Sequence, residues 1–129
     1  MCGINGYYLS DIGFLKNIDL NAANKKISHR GPDNQGTYYA NKKILGLGHT
    51  RLSIQDTSSK GNQPMKSECK RFIIVFNGEI YNFKELNKFL SKKSKNYLLK
   101  SKSDTEIILH FYSYCCENNK SIQYFLSNL

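Results

Sequence analysis

The segment 71–90 constrains the fold of this chain more than any other stretch. Residues 71–76 include an Ile-Ile-Val-Phe run that stops at Asn77-Gly78, which predicts a buried strand with an abrupt end. Asn82 follows as a candidate helix N-cap, and Glu85 stands at the capping-box position three residues later. The apolar residues of the predicted helix share one face: Phe83, Leu86, Phe89 and Leu90. The segment therefore predicts a strand, a tight turn and an amphipathic helix in immediate succession.

The remaining sequence predicts further short strands and capped helices. The strands are expected at 3–9, 36–40, 44–48 and 97–100, with an Asn-Lys-Lys turn between the second and the third. The helices are expected at 20–27, from 103 to about 116, and from 121 onward. Asp19 is the candidate N-cap of the first helix, and residues 103–106 form a second capping box. Gly and Pro place loops at 29–33 and 57–66.

Length and composition predict one soluble, cytoplasmic domain. A chain of 129 residues with 40% hydrophobic residues can bury a core but has no room for a second domain. No apolar stretch reaches membrane length and no signal-peptide pattern precedes the first strand, so we expect no membrane partner. Cys69, Cys115 and Cys116 show no metal-ligand spacing, and we therefore expect no metal site.

A net charge of +9 raises nucleic-acid binding as an alternative function. The lysines concentrate between 84 and 102, but no arginine is interleaved with them. Lys84, Lys88 and Lys92 recur at the spacing of a solvated helix face. We therefore favour an exposed helix surface and expect no nucleic-acid partner.

The second residue, Cys2, is the strongest candidate for chemistry. If Met1 is removed, Cys2 carries a thiol and the chain's own α-amino group. A free α-amine and a cysteine thiol titrate close enough together to exchange a proton near neutral pH. One residue then supplies both nucleophile and general base, as in N-terminal-nucleophile hydrolases. A Cys–His pairing with His49 is the rival interpretation.

Polar residues further along the chain are candidate partners for such a nucleophile. Asn77-Gly78 offers a side-chain amide and a backbone N–H for an oxyanion, or forms only a tight turn. Arg51 is suited to hold a carboxylate with two hydrogen bonds, or forms a surface ion pair. Glu79 and Asp104 could face an ammonium group, although Asp104 could equally complement a helix N-terminus.

Six sequence blocks, at 1–6, 29–33, 49–56, 63–65, 77–82 and 103–106, combine these candidate residues. Together, and in this order, they resemble the glutaminase domain of class II glutamine amidotransferases, and most closely its asparagine synthetase branch. Three features indicate the asparagine synthetase branch: Pro32, the Leu-Ser-Ile sequence after Arg51, and the Glu-Ile-Tyr-Asn sequence at 79–82.

The resemblance implies a role for each candidate residue. Cys2 would be the nucleophile with its own α-amine as base, and Asn77 and Gly78 would form the oxyanion hole. Arg51 would bind the α-carboxylate of glutamine. Glu79 and Asp104 would bind the α-ammonium group of glutamine. Four further residues would line the pocket through their backbone groups: Leu52, Ser53, Ile54 and Gln55.

The resemblance also implies the fold and its extent. It predicts an α+β N-terminal-nucleophile hydrolase, a four-layer αββα sandwich with antiparallel sheets. Residues 1–129 correspond to part of such a domain, so we expect a truncated sandwich and no synthetase domain. ATP and Mg²⁺ would belong to that missing domain, and no cofactor is expected in this chain.

Two functions follow from these observations. The first is a glutaminase that hydrolyses L-glutamine through a cysteinyl thioester and releases ammonia for an acceptor such as aspartate, with a synthetase domain or chain as partner. The alternative is a non-catalytic truncated fragment that acts at most as a binding module. A basic nucleic-acid-binding module is a third and weaker hypothesis.

Overall fold

Two antiparallel sheets and the helices beside them give the protein an α+β fold. The computed structural model describes residues 1–11, 13, 18–93 and 97–129. Within these residues the strands are β1 (Gly3–Tyr8), β2 (Asn34–Ala40), β3 (Leu45–Arg51), β4 (Met65–Lys66) and β5 (Ile73–Ile74). The helices are α1 (Leu20–Lys26), α2 (Phe83–Lys93), α3 (Asp104–Glu117) and α4 (Ile122–Leu126). None of these four helices has the length and apolar character that a membrane crossing requires.

The larger sheet has three strands in the order β1-β3-β2. Strand β3 pairs antiparallel with both neighbours, with Gly3 opposite Thr50 on one side and Asn34 opposite Arg51 on the other. The predicted Asn-Lys-Lys turn joins β2 to β3, and all three of its residues have positive φ. The predicted strands are thus confirmed, and β3 extends beyond its expected end to place Arg51 beside the start of β1.

Helix α1 is held against this sheet by polar contacts. The Asp19 side chain accepts hydrogen bonds from the backbone N–H groups of Asn21 and Ala22, which confirms it as the N-cap. Asn24 is 1% exposed; its Nδ2 donates to the Gly36 carbonyl at 3.0 Å, and its Oδ1 accepts from Asn5 at 2.6 Å. The helix is therefore tied to both outer strands, β1 and β2.

The smaller sheet, β4-β5, differs from the prediction of a long buried strand at 71–76. Strand β5 covers only Ile73–Ile74, and both residues are half-buried. The ladder ends because the backbone N–H of Phe76 donates to the side chain of Gln63, at 2.6 Å, instead of to a neighbouring strand. The predicted strand at 97–100 is also wrong: Lys100 and Ser101 donate their backbone N–H groups to the Glu106 carboxylate.

The main apolar core lies where α2, α3 and α4 pack together. Its buried members are Ile80, Leu86, Leu90, Ile107, Ile108, Phe111, Cys115 and Phe125. Phe111 is 1% exposed, and its ring stacks on Phe125 at a centroid distance of 5.6 Å. Burial of one such side chain contributes about 1.5–3 kcal/mol. The core fixes the position of α3, whose first turn carries Asp104.

The helix caps follow the sequence predictions only in part. Ser103 caps α3 as expected by accepting from Thr105, and Ser121 caps α4 by accepting from Tyr124. Asn82 does not cap α2, because its Oδ1 has no hydrogen-bond partner and its Nδ2 donates to the Asn128 carbonyl. Neither predicted capping box therefore forms both of the side chain–backbone hydrogen bonds that define this motif.

The surface of α2 agrees with the amphipathic pattern. Leu86 and Leu90 are buried, whereas Lys84, Lys88 and Lys92 are exposed. These three lysines thus form the solvated face that their spacing predicts.

Candidate active site

An open cavity of about 370 Å³ lies beside the carboxyl end of β3. Its walls come from the chain start, the loop after β3, the segment that follows β5, and the first turn of α3. Nine of the predicted site residues line it: Cys2, Arg51, Leu52, Ile54, Gln55, Asn77, Gly78, Glu79 and Asp104. Ser53 lies outside this cavity, and its backbone N–H donates to Asp33 at 2.7 Å.

Cys2 is positioned by the pairing of β1 with β3. Because Gly3 is opposite Thr50, Cys2 lies next to the residues that follow Thr50. The Leu52 N–H donates to the Cys2 Sγ at 3.4 Å, and the thiol can donate to the Leu52 carbonyl at 3.7 Å. Arg30 Nε donates to the Cys2 carbonyl at 3.1 Å. Backbone and thiol are therefore both held at the cavity wall.

Arg51 presents a buried positive charge to the same cavity. The residue is 6% exposed, and its Nη1 donates to the Ser58 carbonyl at 2.6 Å and to Asn62 Oδ1 at 2.8 Å. Its Nη2 donates to the Asp56 carbonyl. These acceptors are neutral, and the ion pairs found among the described residues do not include Arg51. The Asp56 carboxylate acts on this buried cation electrostatically without forming an ion pair with it among the described residues, so the charge remains able to attract an anionic ligand.

The segment 77–79 is exposed to the cavity and anchored at both ends. Before it, Phe76 donates to Gln63; after it, the backbone N–H of Ile80 donates to Asp104 Oδ2 at 3.0 Å. A Cβ on Gly78 would lie 2.7 Å from the Phe76 ring, so glycine permits the close approach. The Asn77 amide and the Gly78 N–H are thus carried on a short, tethered stretch of backbone.

The two carboxylates predicted to meet an ammonium group have different surroundings. Glu79 is exposed, and its Oε1 accepts from Gln55 Nε2 at 3.2 Å. Asp104 is 6% exposed, and it uses Oδ2 to hold the Ile80 N–H. Its Oδ1 has a long hydrogen bond, 3.5 Å, from the Thr105 hydroxyl. Asp104 therefore anchors the segment 77–79 in addition to facing the cavity.

Two further carboxylates brace the loops around the site. Hydrogen bonds from the Ser58 side chain and from the backbone N–H groups of Lys102 and Ser58 lower the pKa of Asp56 to about 2. Burial alone would raise the pKa of Glu106, but the His110 imidazole at 3.8 Å and hydrogen bonds from Ser101 and the Lys100 backbone outweigh it and lower the pKa to about 2. Both groups therefore stabilise the fold in their ionised form.

These pKa shifts predict a loss of stability in acid. Because the folded-state pKa of each carboxyl lies below its unfolded value, its contribution is complete above about pH 4.5 and is lost as the pH falls toward 2. Asp56→Asn and Glu106→Gln should lower the free energy of unfolding at pH 7, with a smaller difference from the wild type at pH 3. Urea denaturation across this pH range measures the effect, with Glu117→Gln, at an exposed site, as the control. A difference from the wild type that does not change with pH would contradict the assignment.

His49 lies outside the cavity that Cys2 lines. The residue is fully buried, does not line the cavity, and neither ring nitrogen has a hydrogen-bond partner. Burial lowers the pKa of its imidazole, an effect that the nearby Phe76 backbone partly opposes. A buried neutral histidine away from the cavity does not support the rival Cys–His pairing.

Comparison with known proteins identifies the family. A family profile described as a glutamine amidotransferase domain matches residues 1–121. The chain belongs to this family. The glutamine amidotransferase domain is also similar to part of several longer proteins, among them asparagine synthetases. It is 42% identical to the glutamine-hydrolysing asparagine synthetase 1 of Bacillus subtilis in an alignment of 125 positions that covers 94% of this chain and 19% of that protein.

Two further relatives show how wide the similarity is. A Methanocaldococcus jannaschii protein assigned as a glutamine-hydrolysing asparagine synthetase is 42% identical in an alignment of 132 positions that covers 88% of this chain and 24% of the relative. The amidase chry2 of Gibberella zeae is 32% identical in an alignment of 125 positions that covers 88% of this chain and 18% of that protein. The glutamine amidotransferase domain thus spans about a fifth of the length of these relatives.

Several residues that hold the amidotransferase cavity together had no role in the sequence analysis. Arg30 holds the Cys2 backbone, Asp33 holds Ser53, and Asn62 and Gln63 hold Arg51 and Phe76. Arg30, Asp33 and Gln63 lie in blocks that carry the resemblance, 29–33 and 63–65. A signal was therefore present, but only the folded contacts show what these residues do.

Proposed function

We propose that this domain is the glutaminase half of an asparagine synthetase-like amidotransferase, which hydrolyses glutamine to glutamate and ammonia. One observation carries the proposal: a single cavity is lined by the Cys2 thiol, the Asn77-Gly78 donors and the buried cation of Arg51. Amide hydrolysis through a thioester needs a nucleophile, donors for an oxyanion and a group that orients the substrate. The cavity contains a candidate for each requirement.

In the proposed reaction, removal of Met1 frees the α-amine of Cys2. The amine accepts the thiol proton as Sγ attacks the side-chain amide carbon of glutamine, and the carbonyl oxygen becomes an oxyanion. Asn77 Nδ2 and the Gly78 N–H donate to this oxyanion. The C–N bond then breaks, ammonia leaves with the proton from the amine, and a thioester remains. Water attacks the thioester, which gives glutamate and restores the thiol.

The substrate would be held by its α-carboxylate and its α-ammonium group. Among the described residues Arg51 forms no ion pair, so a glutamine carboxylate could bind its buried guanidinium. Glu79 and Asp104 line the same cavity and supply negative charge, which would neutralise the α-ammonium group. The loop residues Leu52, Ile54 and Gln55 would complete the pocket, and Ser53 would act only through the backbone that Asp33 holds.

The proposal extends to the fold and to the whole protein. Two antiparallel sheets with flanking helices support part of a four-layer αββα sandwich of the N-terminal-nucleophile type. The names of the asparagine synthetase relatives support aspartate as the ammonia acceptor and a synthetase domain as the partner. ATP and Mg²⁺ would be bound by that synthetase domain, outside the residues of this chain.

Assay of the full chain with glutamine tests the proposed function. After removal of Met1, glutamate and ammonia should appear in equal amounts, and asparagine, which is one methylene shorter, should be a poor substrate. The alternative, a non-catalytic binding module, predicts that glutamine binds without release of ammonia. Binding without turnover by folded protein that lacks Met1 would therefore favour the alternative.

A further inference from the structure

The buried side chain of Gln63 makes hydrogen bonds in two directions beside the cavity. It is 7% exposed, and its Oε1 accepts from the Phe76 N–H at 2.6 Å. Its Nε2 donates to the Thr105 hydroxyl at 3.2 Å. Phe76 directly precedes Asn77, and Thr105 belongs to the first turn of α3. Gln63 thus joins the entry of the segment 77–79 to the start of a helix.

The exit of the same segment is joined to the same helix turn. The Ile80 N–H donates to Asp104 Oδ2, and the Ile80 side chain is part of the buried core. The Thr105 hydroxyl, which accepts from Gln63, also lies within 3.5 Å of Asp104 Oδ1. Residues 77–79 are therefore held between two hydrogen bonds, one to Gln63 and one to Asp104, and Thr105 contacts both of these side chains.

We propose that Gln63 is a positioning residue that sets the Asn77 amide and the Gly78 N–H for the oxyanion, an inference that rests on the proposed function. An amide side chain suits this place because it accepts from one partner and donates to another. A residue that lacks either group would leave the Phe76 N–H or the Thr105 hydroxyl without its partner, at a cost in order and stability. The neighbouring Asn62 accepts from Arg51, so two consecutive residues, Asn62 and Gln63, support the proposed carboxylate-binding arginine and the segment 77–79.

Kinetics of Gln63→Met tests the positioning role in the full chain. Methionine keeps the length of the side chain and removes both hydrogen bonds. We expect kcat to fall about 10- to 100-fold, because small misplacement of reacting groups has effects of this size. KM should change less than about twofold, since Arg51 still holds the substrate. Gln123→Met makes the same chemical change at an exposed position of α4 and should leave both constants unaltered.

A double mutant separates positioning from general destabilisation. In an Asn77→Ala background one of the two oxyanion donors is already missing and only the Gly78 N–H can still be displaced, so Gln63→Met should lower kcat less than it does in the wild type. A purely structural role predicts the same fold-change in both backgrounds. Equal fold-changes, or a wild-type kcat for Gln63→Met, would overturn the proposal.

Amide hydrogen exchange provides a readout that does not depend on turnover. In Gln63→Met the Phe76 amide should exchange at least about tenfold faster than in the wild type, while the Phe111 amide in the core of α3 should be unchanged. If the wild type releases no ammonia, the proposed function fails, and the exchange rates alone decide whether Gln63 holds the segment. An unchanged Phe76 rate would overturn the positioning role in either case.

Discussion

Cys2→Ala is expected to abolish glutamine turnover, because alanine offers no sulfur to attack the amide carbon. The Cys2 thiol is the one cysteine thiol lining the cavity among the described residues. The reduction should reach the background of the assay, since the thioester route is closed. Measurement of ammonia release with folded protein decides the matter. Full activity of Cys2→Ala would exclude this cysteine as the nucleophile.

The other cysteines serve as matched controls. Cys69→Ala is the most demanding one, because Cys69 is exposed and the Ser67 side chain, together with the Arg71 backbone, lowers the pKa of its thiol. Cys115→Ala and Cys116→Ala affect thiols on α3. All three variants should keep their turnover.

A chain that retains Met1 should be inactive, since its α-amine is displaced from the Cys2 thiol by one residue.

Asn77→Ala should lower kcat by about 10²–10³, the usual consequence of removing one oxyanion donor, with little change in KM. Arg51→Lys should instead raise KM most, because a lysine cannot reproduce the two-pronged geometry of a guanidinium. Steady-state kinetics of both variants, at a temperature where each is folded, provides the comparison. If the two variants change kcat and KM in the same way, the proposed division of roles is wrong.

The Arg51 variant needs its own control for folding. Its guanidinium donates to the Ser58 and Asp56 carbonyls and to Asn62, so lysine also removes structural hydrogen bonds. Asn62→Ala removes only one of these bonds and leaves the charge in place. If KM rises only slightly in Asn62→Ala but strongly in Arg51→Lys, the effect comes from weaker binding of the substrate carboxylate and not from the lost structural hydrogen bonds.

The sequence predicts those elements whose signals are local. Strands β2 and β3 follow from their turn signals, and the cap at Asp19 follows from residue type alone. The strand expected at 97–100 fails because Lys100 and Ser101 give their N–H groups to Glu106. The long strand expected at 71–76 fails for the same kind of reason, a side chain that competes for backbone donors.

The candidate site also has one part that the sequence predicts and one part that it does not. Residues expected to touch substrate were identified from motifs, and all of them except Ser53 line one cavity. Their supports were not identified, because Arg30 contacts Cys2 across 28 residues of sequence and Gln63 contacts Thr105 across 42. Such pairs have no local periodicity, and only the folded chain brings them together.

Labelling with a glutamine analogue that carries an electrophilic carbon in place of the side-chain amide tests the central claim most directly. The full chain, freed of Met1, should react at one site, and peptide mass mapping should place the label on Cys2. Excess glutamine should protect this thiol, and Arg51→Lys should slow the labelling. Label on Cys69, Cys115 or Cys116 instead, or turnover of glutamine by protein whose Cys2 cannot be labelled, would contradict the account.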